Sequence, residues 1–294
     1  MKFQRNVLLK NYTTFKIGGR AKYFFVAKTK SSLVKALQKA KRLGLPFFIL
    51  AGGSNLLISD KGYQGLVIQI KNQTLKVKNN KIYAEAGVVL GQLVNSAFKN
   101  SLTGLEWATG IPGTVGGAVF GNAGAFNGAM KDVVREVEVF DVEKNKIRKL
   151  KKKDCKFGYR SSVFKKNPHL IILVCQLQLK ASNKQEIKEK MQEYLDYRDE
   201  RYPRKPSAGS IFKNPRNISA RELINKSGLK GKRIGGAEIS KLHPNFIVNL
   251  NGAKSQDVLK LIDLIKRTVD KKFGIKLKKE IIFCKKLLTT FPKK

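Results

Sequence analysis

The chain has 294 residues, of which 42% are hydrophobic and 28% charged, and its formal net charge is +39. This hydrophobic content excludes a disordered chain, and the longest apolar run, residues 170–179, is too short to span a bilayer. Residues 1–12 contain no apolar run of signal-peptide length and the three cysteines show no CxxC pairing, so we expect a cytoplasmic protein with reduced thiols.

The positive charge comes mainly from lysines that are scattered through nearly every segment. A field of this size attracts polyanions, and it also favours the collection of phosphorylated substrates. Dedicated nucleic-acid surfaces tend to gather arginine and aromatic side chains in one region, and the scatter of lysine disfavours such a surface. We expect diffuse surface lysine and no obligatory nucleic-acid partner, with a basic nucleic-acid-binding protein as the alternative.

Hydrophobic periodicity predicts alternating strands and helices in the first hundred residues. Strand 23–27, a helix that is capped by Ser31 or Ser32 and ended by Gly44, and strand 47–50 form a β-α-β unit. Three further strands and a helix are predicted at residues 65–70, 75–78, 81–86 and 89–98.

The remaining chain continues this pattern across one clear interruption. Pro203 and Pro206 break the chain and mark the best domain boundary. A helix at 255–273 is predicted to be capped by Ser255, with Asp257 in its positive first turn. The other predicted elements are strands 135–141 and 170–179, helices 183–200 and 220–226, strand 246–250 and a last strand at 275–283.

Two glycine-rich turns interrupt the series, AGGSNLL at residues 51–57 and GIPGTVGGAVFGNAGAFNG at residues 110–128. Neither contains GxxxxGK[ST] or GxGxxG, which disfavours a Walker loop and a Rossmann dehydrogenase. Two loops of small residues can present backbone N–H groups to a pyrophosphate from two sides. The pattern, which includes polar residues among the glycines, therefore favours ligand binding over a pair of tight structural turns.

Seven blocks occur in one order along residues 10–283: TTFKIGGRAKYF, AGGSNLL, GLEWATGIPGTVGGAVFGNAGAF, FGYRSS, PSAGSIFKNP, GLKGKRIGGAEISKLHPNFIVN and KFGIKLKKEIIF. Together they resemble the UDP-N-acetylenolpyruvoylglucosamine reductases, flavoenzymes of early peptidoglycan synthesis, in their compact subtype. The resemblance implies an α+β chain with the vanillyl-alcohol-oxidase-type FAD-binding fold. Two α+β subdomains, residues 1–72 and 73–200, would hold the FAD, and a C-terminal α+β domain, residues 201–294, would bind the substrate. The last strand belongs either to that domain or to the FAD domain.

The activity that this resemblance implies is reduction of an enolpyruvyl ether of a UDP-sugar to the lactyl ether of UDP-N-acetylmuramate. NADPH would be the co-substrate, FAD the hydride carrier, and a protein group the proton donor. No metal and no membrane partner is implied, and we expect a monomer. A flavin oxidase of the same fold is an alternative, although no His or Cys stands near either glycine loop to tether a flavin.

Three residues match the family's catalytic positions. Ser210 in AGSIFKNP matches the proton donor, and Arg160 in FGYRS matches an arginine that binds the substrate carboxylate. Glu280 in LKKEI matches a glutamate that acts with Arg160 or supports proton delivery.

The resemblance also assigns binding residues. Those expected to wrap the FAD pyrophosphate are Gly52, Gly53, Ser54, Asn55, Leu56, Gly110, Gly113, Thr114, Gly116, Gly117, Asn122 and Ala123. Further candidates, for substrate binding, are Asn214, His243 and Tyr159, the last at either the flavin or the substrate. For the UDP phosphates, where the family uses a lysine, the candidate is Lys205 with Arg201 as its alternative. A structural role is the alternative for His243. Two histidines that are unpaired with cysteines give no zinc site.

Overall fold

The computed structural model describes residues 1–284, and three larger β-sheets organise this part of the chain. The elements around the first sheet are β1 (Gln4–Leu8), β2 (Arg20–Ala27), α1 (Lys30–Arg42), β3 (Phe47–Leu50), β4 (Leu56–Ile58) and β5 (Tyr63–Ile70). The strand order is β1-β2-β5-β3, and β2, β3 and β5 run parallel. The predicted β-α-β unit is therefore confirmed, with β5 inserted between its two strands.

Helix α1 begins earlier than its two serines suggest. Thr29 Oγ1 accepts a hydrogen bond from Ser32 N–H at 3.0 Å, and Ser32 Oγ accepts one from Thr29 N–H at 3.1 Å. The cap is Thr29, and the expectation of a cap at Ser31 or Ser32 is wrong. A reciprocal capping box places its second member inside the first turn, and this is the position of Ser32. Gly44 follows the helix with φ +60°, as predicted.

The second sheet has the order β12-β11-β13-β7-β6 and is antiparallel throughout. The elements of this region are β6 (Leu75–Lys78), β7 (Lys81–Glu85), α2 (Leu90–Lys99), β8 (Leu102–Thr103), α3 (Val115–Gly121), β9 (Gly124–Ala125), β10 (Gly128–Ala129), α4 (Met130–Val133), β11 (Val134–Asp141), β12 (Lys146–Lys151), α5 (Val163–Lys166), β13 (Leu170–Gln178), β14 (Lys180–Ala181) and α6 (Lys184–Arg201). The second glycine run thus contains a short helix, α3, besides its loops.

The first two sheets share one apolar core. Ile68 from β5, Val88 before α2 and Val137 from β11 are fully buried members of the same cluster. The predicted boundary at residue 72 therefore separates two sheets that pack on common side chains, and it stays a prediction. No helix in residues 1–284 combines the length and apolarity that crossing a bilayer requires.

The third sheet has the order β15-β18-β17-β16. Its region consists of β15 (Ser207–Ser210), α7 (Ala220–Lys226), β16 (Arg233–Ile234), β17 (Ala237–Ile239), β18 (Phe246–Asn249), α8 (Ser255–Phe273) and β19 (Ile282–Cys284). Val258, Leu261 and Ile265 share one face of α8 and are fully buried in a core with the sheet. The predicted third domain extends to residue 294, and residues 285–294 lie outside the described part.

Helix α8 has the predicted bounds, but its N-terminal cap is a different residue. The residue before its first turn is Lys254, whose N–H donates to Asp257 Oδ2 at 2.9 Å. Ser255 is the first helical residue, and its hydroxyl donates to Asp60 Oδ2 at 2.8 Å. The expectation of a cap at Ser255 is wrong, because this side chain ties the helix to the loop after β4. The acidic first turn is as predicted.

The predicted strand at 275–283 is shorter than expected. Only Ile282–Cys284 form a strand, which pairs in parallel with Leu56–Ile58 of β4. Residues 275–281 are wrong as a strand, because the segment passes from the residues after β15 to β4 and changes partner on the way. Lys213 N–H donates to Lys278 O at 2.9 Å, whereas Ile282 N–H donates to Asn55 O at 3.1 Å. The last strand was expected to belong either to the C-terminal domain or to the FAD domain, and it pairs with β4 of the N-terminal part.

Candidate active site

The two glycine loops touch each other. A Cβ atom on Gly52 would lie 2.8 Å from Gly113 Cα, and Gly113 has φ +143°. On Gly53, which has φ +65°, a Cβ would lie 2.2 Å from Tyr12 O. Larger residues would force the loops apart, so glycine is required here by close approach and by backbone conformation.

The same loops carry backbone donors without protein acceptors. Within residues 1–284, the N–H groups of Gly52, Gly53, Ser54 and Asn55 donate to no protein atom, and neither do those of Gly113 and Thr114. Unpaired N–H groups from two touching loops give this region partial positive charge that favours an anion. This arrangement fits the pyrophosphate of a dinucleotide such as FAD, and the donors lie in both predicted segments.

Other predicted cofactor residues are engaged within the protein. Gly116 N–H donates to Ala86 O at 2.9 Å, and Gly117 N–H donates to Thr114 Oγ1 at 3.3 Å. Asn122 donates to Gly158 O and accepts from Lys131 N–H, both at 2.9 Å. Contact of these residues with FAD stays a prediction, and their N–H and amide groups are not the free donors.

The last three predicted cofactor residues also have structural positions. Leu56 lies in β4 and pairs with β19. Ala123 N–H donates to Ala118 O at 2.8 Å at the end of α3. Gly110 has φ +75° and packs beneath Arg198, whose Cδ would lie 3.1 Å from an added Cβ.

Arg160 and Glu280, which lie 120 residues apart in the chain, form an ion pair. Arg160 Nε donates to Glu280 Oε1 at 2.6 Å, and a terminal nitrogen of Arg160 donates to Gly124 O at 2.8 Å. Their side chains are 25% and 17% exposed. The pair is therefore accessible to a ligand, and a guanidinium held at two points presents its remaining N–H groups in a fixed direction.

The main chain of Glu280 joins this pair to the serine strand and to the first glycine loop. Glu280 N–H donates to Ile211 O at 2.8 Å, directly after Ser210. Glu280 O accepts from Asn55 Nδ2 at 3.3 Å. The structure thus brings together the segments of all three predicted catalytic residues beside the loop with the free donors.

Ser210 ends strand β15 and is half-buried. Its hydroxyl makes no hydrogen bond to any residue of the described chain, 1–284. A hydroxyl that has no partner within the described residues is available to donate a proton to a bound ligand.

Two lysines near Arg160 were not predicted. Arg160 has φ +51°, and its carbonyl oxygen accepts from Lys165 Nζ at 3.3 Å and from Lys213 Nζ at 3.4 Å. Burial lowers the pKa of Lys165, and the nearby Lys213 lowers it further. Lys165 comes three residues after the block FGYRSS and Lys213 lies within the block PSAGSIFKNP, but the abundance of lysine hid this signal.

The substrate candidates fall into two groups. Tyr159 and Asn214 are in contact, because Asn214 N–H donates to Tyr159 Oη at 3.2 Å, and Tyr159 is 56% exposed. Lys205 and Arg201 are exposed, and the Arg201 guanidinium lies 4.5 Å from the ring centroid of Tyr197.

His243 is buried between two aromatic rings. Its ring centroid lies 5.3 Å from that of Tyr202 and 4.7 Å from that of Phe246. Burial lowers its pKa to about 4, and Arg221 contributes in the same direction. These surroundings favour the structural alternative for His243, and its contact with substrate stays a prediction. Among residues 1–284, no group of three or more His, Cys, Asp or Glu side chains could hold a metal ion.

Two family models match the chain. An FAD-binding-domain model matches residues 21–151. A model described as the C-terminal domain of UDP-N-acetylenolpyruvoylglucosamine reductase matches residues 201–284. The vanillyl-alcohol-oxidase-type α+β fold expected from the sequence is confirmed by the first model and by the solved structure described next.

Whole-length relatives agree with these models. The UDP-N-acetylenolpyruvoylglucosamine reductase of Caldanaerobacter subterraneus subsp. tengcongensis is 43% identical over 282 residues, which cover 95% of this chain and 93% of the relative. That of Clostridium novyi is 40% identical and covers 95% of this chain and 91% of the relative. The crystal structure of the reductase from Thermus caldophilus is 38% identical, superposes with a TM-score of 0.84, and covers 97% of this chain and 99% of that one. The chain belongs to the UDP-N-acetylenolpyruvoylglucosamine reductase family.

Proposed function

We propose that the chain is the FAD-dependent reductase that converts the enolpyruvyl ether of UDP-N-acetylglucosamine to UDP-N-acetylmuramate, with NADPH as the reductant. The proposal rests on the family membership and on one observation, the ion pair between Arg160 and Glu280. Main-chain hydrogen bonds of Glu280 connect this pair to the strand of Ser210 and to the first glycine loop. These contacts support a site at which Arg160 binds a carboxylate, Ser210 donates a proton and the glycine loops hold a dinucleotide.

FAD, when bound, supplies the hydride chemistry of the reaction. The free N–H groups of residues 52–55 and of Gly113 and Thr114 are proposed to hold its pyrophosphate. Arg160 binds the carboxylate of the enolpyruvyl group and stabilises the charge that develops next to it. Ser210 donates a proton to the carbon beside that carboxylate. Glu280 orients the guanidinium through Nε, which leaves terminal N–H groups of Arg160 for the substrate.

The test is the visible absorbance spectrum of the purified holoenzyme. We expect a flavin band that bleaches on anaerobic addition of NADPH and returns on addition of the enolpyruvyl sugar nucleotide. UDP-N-acetylglucosamine, which lacks the alkene, is the control and should leave the bleached spectrum unchanged. A protein that takes up no FAD, or a band that returns only with oxygen, would contradict the proposal; the second result would favour the oxidase alternative.

The finer assignments extend this proposal. We propose that the enzyme acts as a monomer in the cytoplasm, without an obligatory nucleic-acid partner. The three cysteines support a reducing compartment, because they are free and buried. Light scattering of the holoenzyme at assay concentration tests the oligomeric state, and a dimer mass would contradict the monomer.

Substitution of Gly52 by alanine is expected to weaken FAD binding. The added Cβ would lie 2.8 Å from Gly113 Cα, and overpacking of this kind costs about 1–3 kcal/mol. This corresponds to a Kd for FAD that is roughly 5- to 150-fold higher. Titration of apoprotein with FAD, followed by flavin fluorescence, measures the change.

Gly121→Ala is the matched control in the same glycine run. Gly121 lies in α3, and a Cβ added there would have no neighbouring atom within 4 Å. The Kd of this variant for FAD should equal that of the unchanged protein. Equal Kd values for both variants would show that the loop contact does not shape the cofactor site.

A further inference from the structure

The strand that carries Ser210 is irregular at the point where the serine must be held. Strands β15 and β18 pair Ser207 with Val248 and Ser210 with Phe246, with a register shift between the two pairs. Gly209 within the shift has φ +73° and no atom within 4 Å of an added Cβ. A bulge re-aims a side chain but removes the regular ladder that would fix it. The position of Ser210 must therefore be fixed from its other side.

Asn245 supplies contacts on that side. Its Oδ1 accepts from Phe212 N–H at 2.9 Å, and its Nδ2 donates to Phe212 O at 2.9 Å. Its own carbonyl accepts from Ile211 N–H at 2.8 Å. Asn245 is 3% exposed, so it cannot exchange these partners for water. Three hydrogen bonds with one residue thus fix the main chain of the two residues that directly follow Ser210.

The same two residues, Ile211 and Phe212, also hold the segment of Glu280. Ile211 O accepts from Glu280 N–H at 2.8 Å, and Phe212 forms a bridge with Lys279. Residues 211–212 therefore link Ser210, which precedes them in the chain, to Glu280, which is hydrogen-bonded to them. The Asn245 side chain holds this two-residue segment in place. Among these residues, it is Glu280 that bonds to a glycine loop, through its carbonyl oxygen and Asn55 Nδ2.

We propose that Asn245 is a positioning residue for proton delivery: its amide sets the spacing between Ser210 and the Arg160–Glu280 pair. This inference rests on the proposed function. It assigns Asn245 no contact with substrate or cofactor. A change at this residue misplaces the proton donor relative to the bound carboxylate, while the step that uses NADPH needs neither group.

Asn249 offers a matched control: it is the last residue of β18, and Asn245 directly precedes that strand. It is also buried, and its amide is also used twice: Nδ2 donates to Phe15 O and Oδ1 accepts from Ala253 N–H, both at 3.1 Å. Its side chain makes no hydrogen bond to residues 211–213, the segment after Ser210. Asn→Asp at either position replaces a buried amide by a carboxyl of the same shape, so the two variants differ mainly in which segment they disturb.

The experiment compares Asn245→Asp with Asn249→Asp as FAD-loaded proteins in a stopped-flow instrument. The rate at which NADPH bleaches the flavin band and the rate at which the enolpyruvyl sugar restores it are measured separately. For Asn245→Asp, we expect the second rate to fall roughly 10- to 100-fold, as expected for a misplaced reacting group, and the first to stay unchanged. For Asn249→Asp, we expect both rates to stay unchanged.

The pH dependence provides a second readout. The ionised carboxylate at 245 cannot donate to Phe212 O, whereas the protonated carboxyl can, and burial favours the protonated form. The ratio of variant to unchanged rate should therefore rise as pH falls from about 9 to about 6. The charged or titratable groups around this turn are His243, Arg221, Tyr202, Lys213, Lys278, Lys279 and Glu280. They are present in both proteins, so their own titration affects both rates.

Each outcome decides the proposal. A selective, pH-rescued loss in Asn245→Asp supports it. Equal effects in the two variants, or a loss confined to thermal stability, overturn it and make Asn245 a structural residue. Where Asn245→Asp does not fold, Asn245→Ser against Asn249→Ser gives the same comparison of the two rates. If the unchanged enzyme itself fails to respond to the sugar, the proposed function fails, which is a distinguishable result.

Discussion

Replacement of Ser210 by alanine is expected to lower turnover of the enolpyruvyl sugar by roughly 100- to 10,000-fold, the range that a positioned proton donor contributes. FAD binding and bleaching of the flavin by NADPH should be unchanged, because neither process requires the serine proton. The hydroxyl has no partner in residues 1–284, so its removal leaves no buried group unsatisfied. We therefore expect the melting temperature of the holoenzyme to change little.

Ser207→Ala is the control for this result. Ser207 lies on the same strand, three residues earlier, and is also half-buried. Among residues 1–284, its hydroxyl accepts only a long hydrogen bond, 3.5 Å, from Gly209 N–H. Rapid-reaction measurements of both half-reactions should therefore separate the two variants. If Ser210→Ala restored the flavin band at the unchanged rate, another group would have to donate the proton.

The elements that were predicted with correct bounds share a local signal. Helix α8 is an uninterrupted amphipathic repeat, and Gly274 follows it with φ +67°. Strand β3 is a short apolar run between a proline and a glycine turn. In both cases the residues within the element and at its ends determine the outcome.

Unlike the misplaced cap of α1, two errors arose where distant residues decide the structure. The serine at 255 looks like a cap, but Asp60, 195 residues away, binds it. Residues 275–281 were predicted as part of a strand, but Lys278 and Glu280 bond to the segment after β15, whereas Ile282 bonds to Asn55 before β4. No pattern within a few residues contains this information, because it depends on which segments the fold brings together.

The site residues also divide into those that the sequence reveals and those that depend on distant segments. The resemblance to a family supplied Ser210, Arg160 and Glu280, and the glycine spacing pointed to the two loops. Asn245 and Lys213 act through main-chain atoms of other segments, and a sequence does not show which carbonyl a side chain will reach. Residues that contact a ligand are easier to recognise in a sequence than residues that hold them in place.

Substitution of Arg160 by lysine is expected to lower kcat/KM for the sugar nucleotide by about 100- to 1,000-fold, as expected for loss of an oriented charge donor. Lysine keeps the charge, but a single ammonium cannot bind Glu280, the Gly124 carbonyl and a substrate carboxylate at once, as the guanidinium geometry allows. Arg216→Lys, at an exposed arginine of the C-terminal region, is the matched control and should leave kcat/KM unchanged.

The coupling between Arg160 and Glu280 gives the sharper test. If Glu280 acts by orienting the guanidinium, then Glu280→Gln should add little to the loss already caused by Arg160→Lys, because the group to be oriented is gone. Steady-state kinetics of the two single variants and the double variant measure this directly. Fully additive losses would mean that Glu280 contributes independently, through proton delivery to the substrate. Non-additive losses would assign its 2.6 Å contact with Arg160 as its role, and would leave Ser210 as the proton donor of the site.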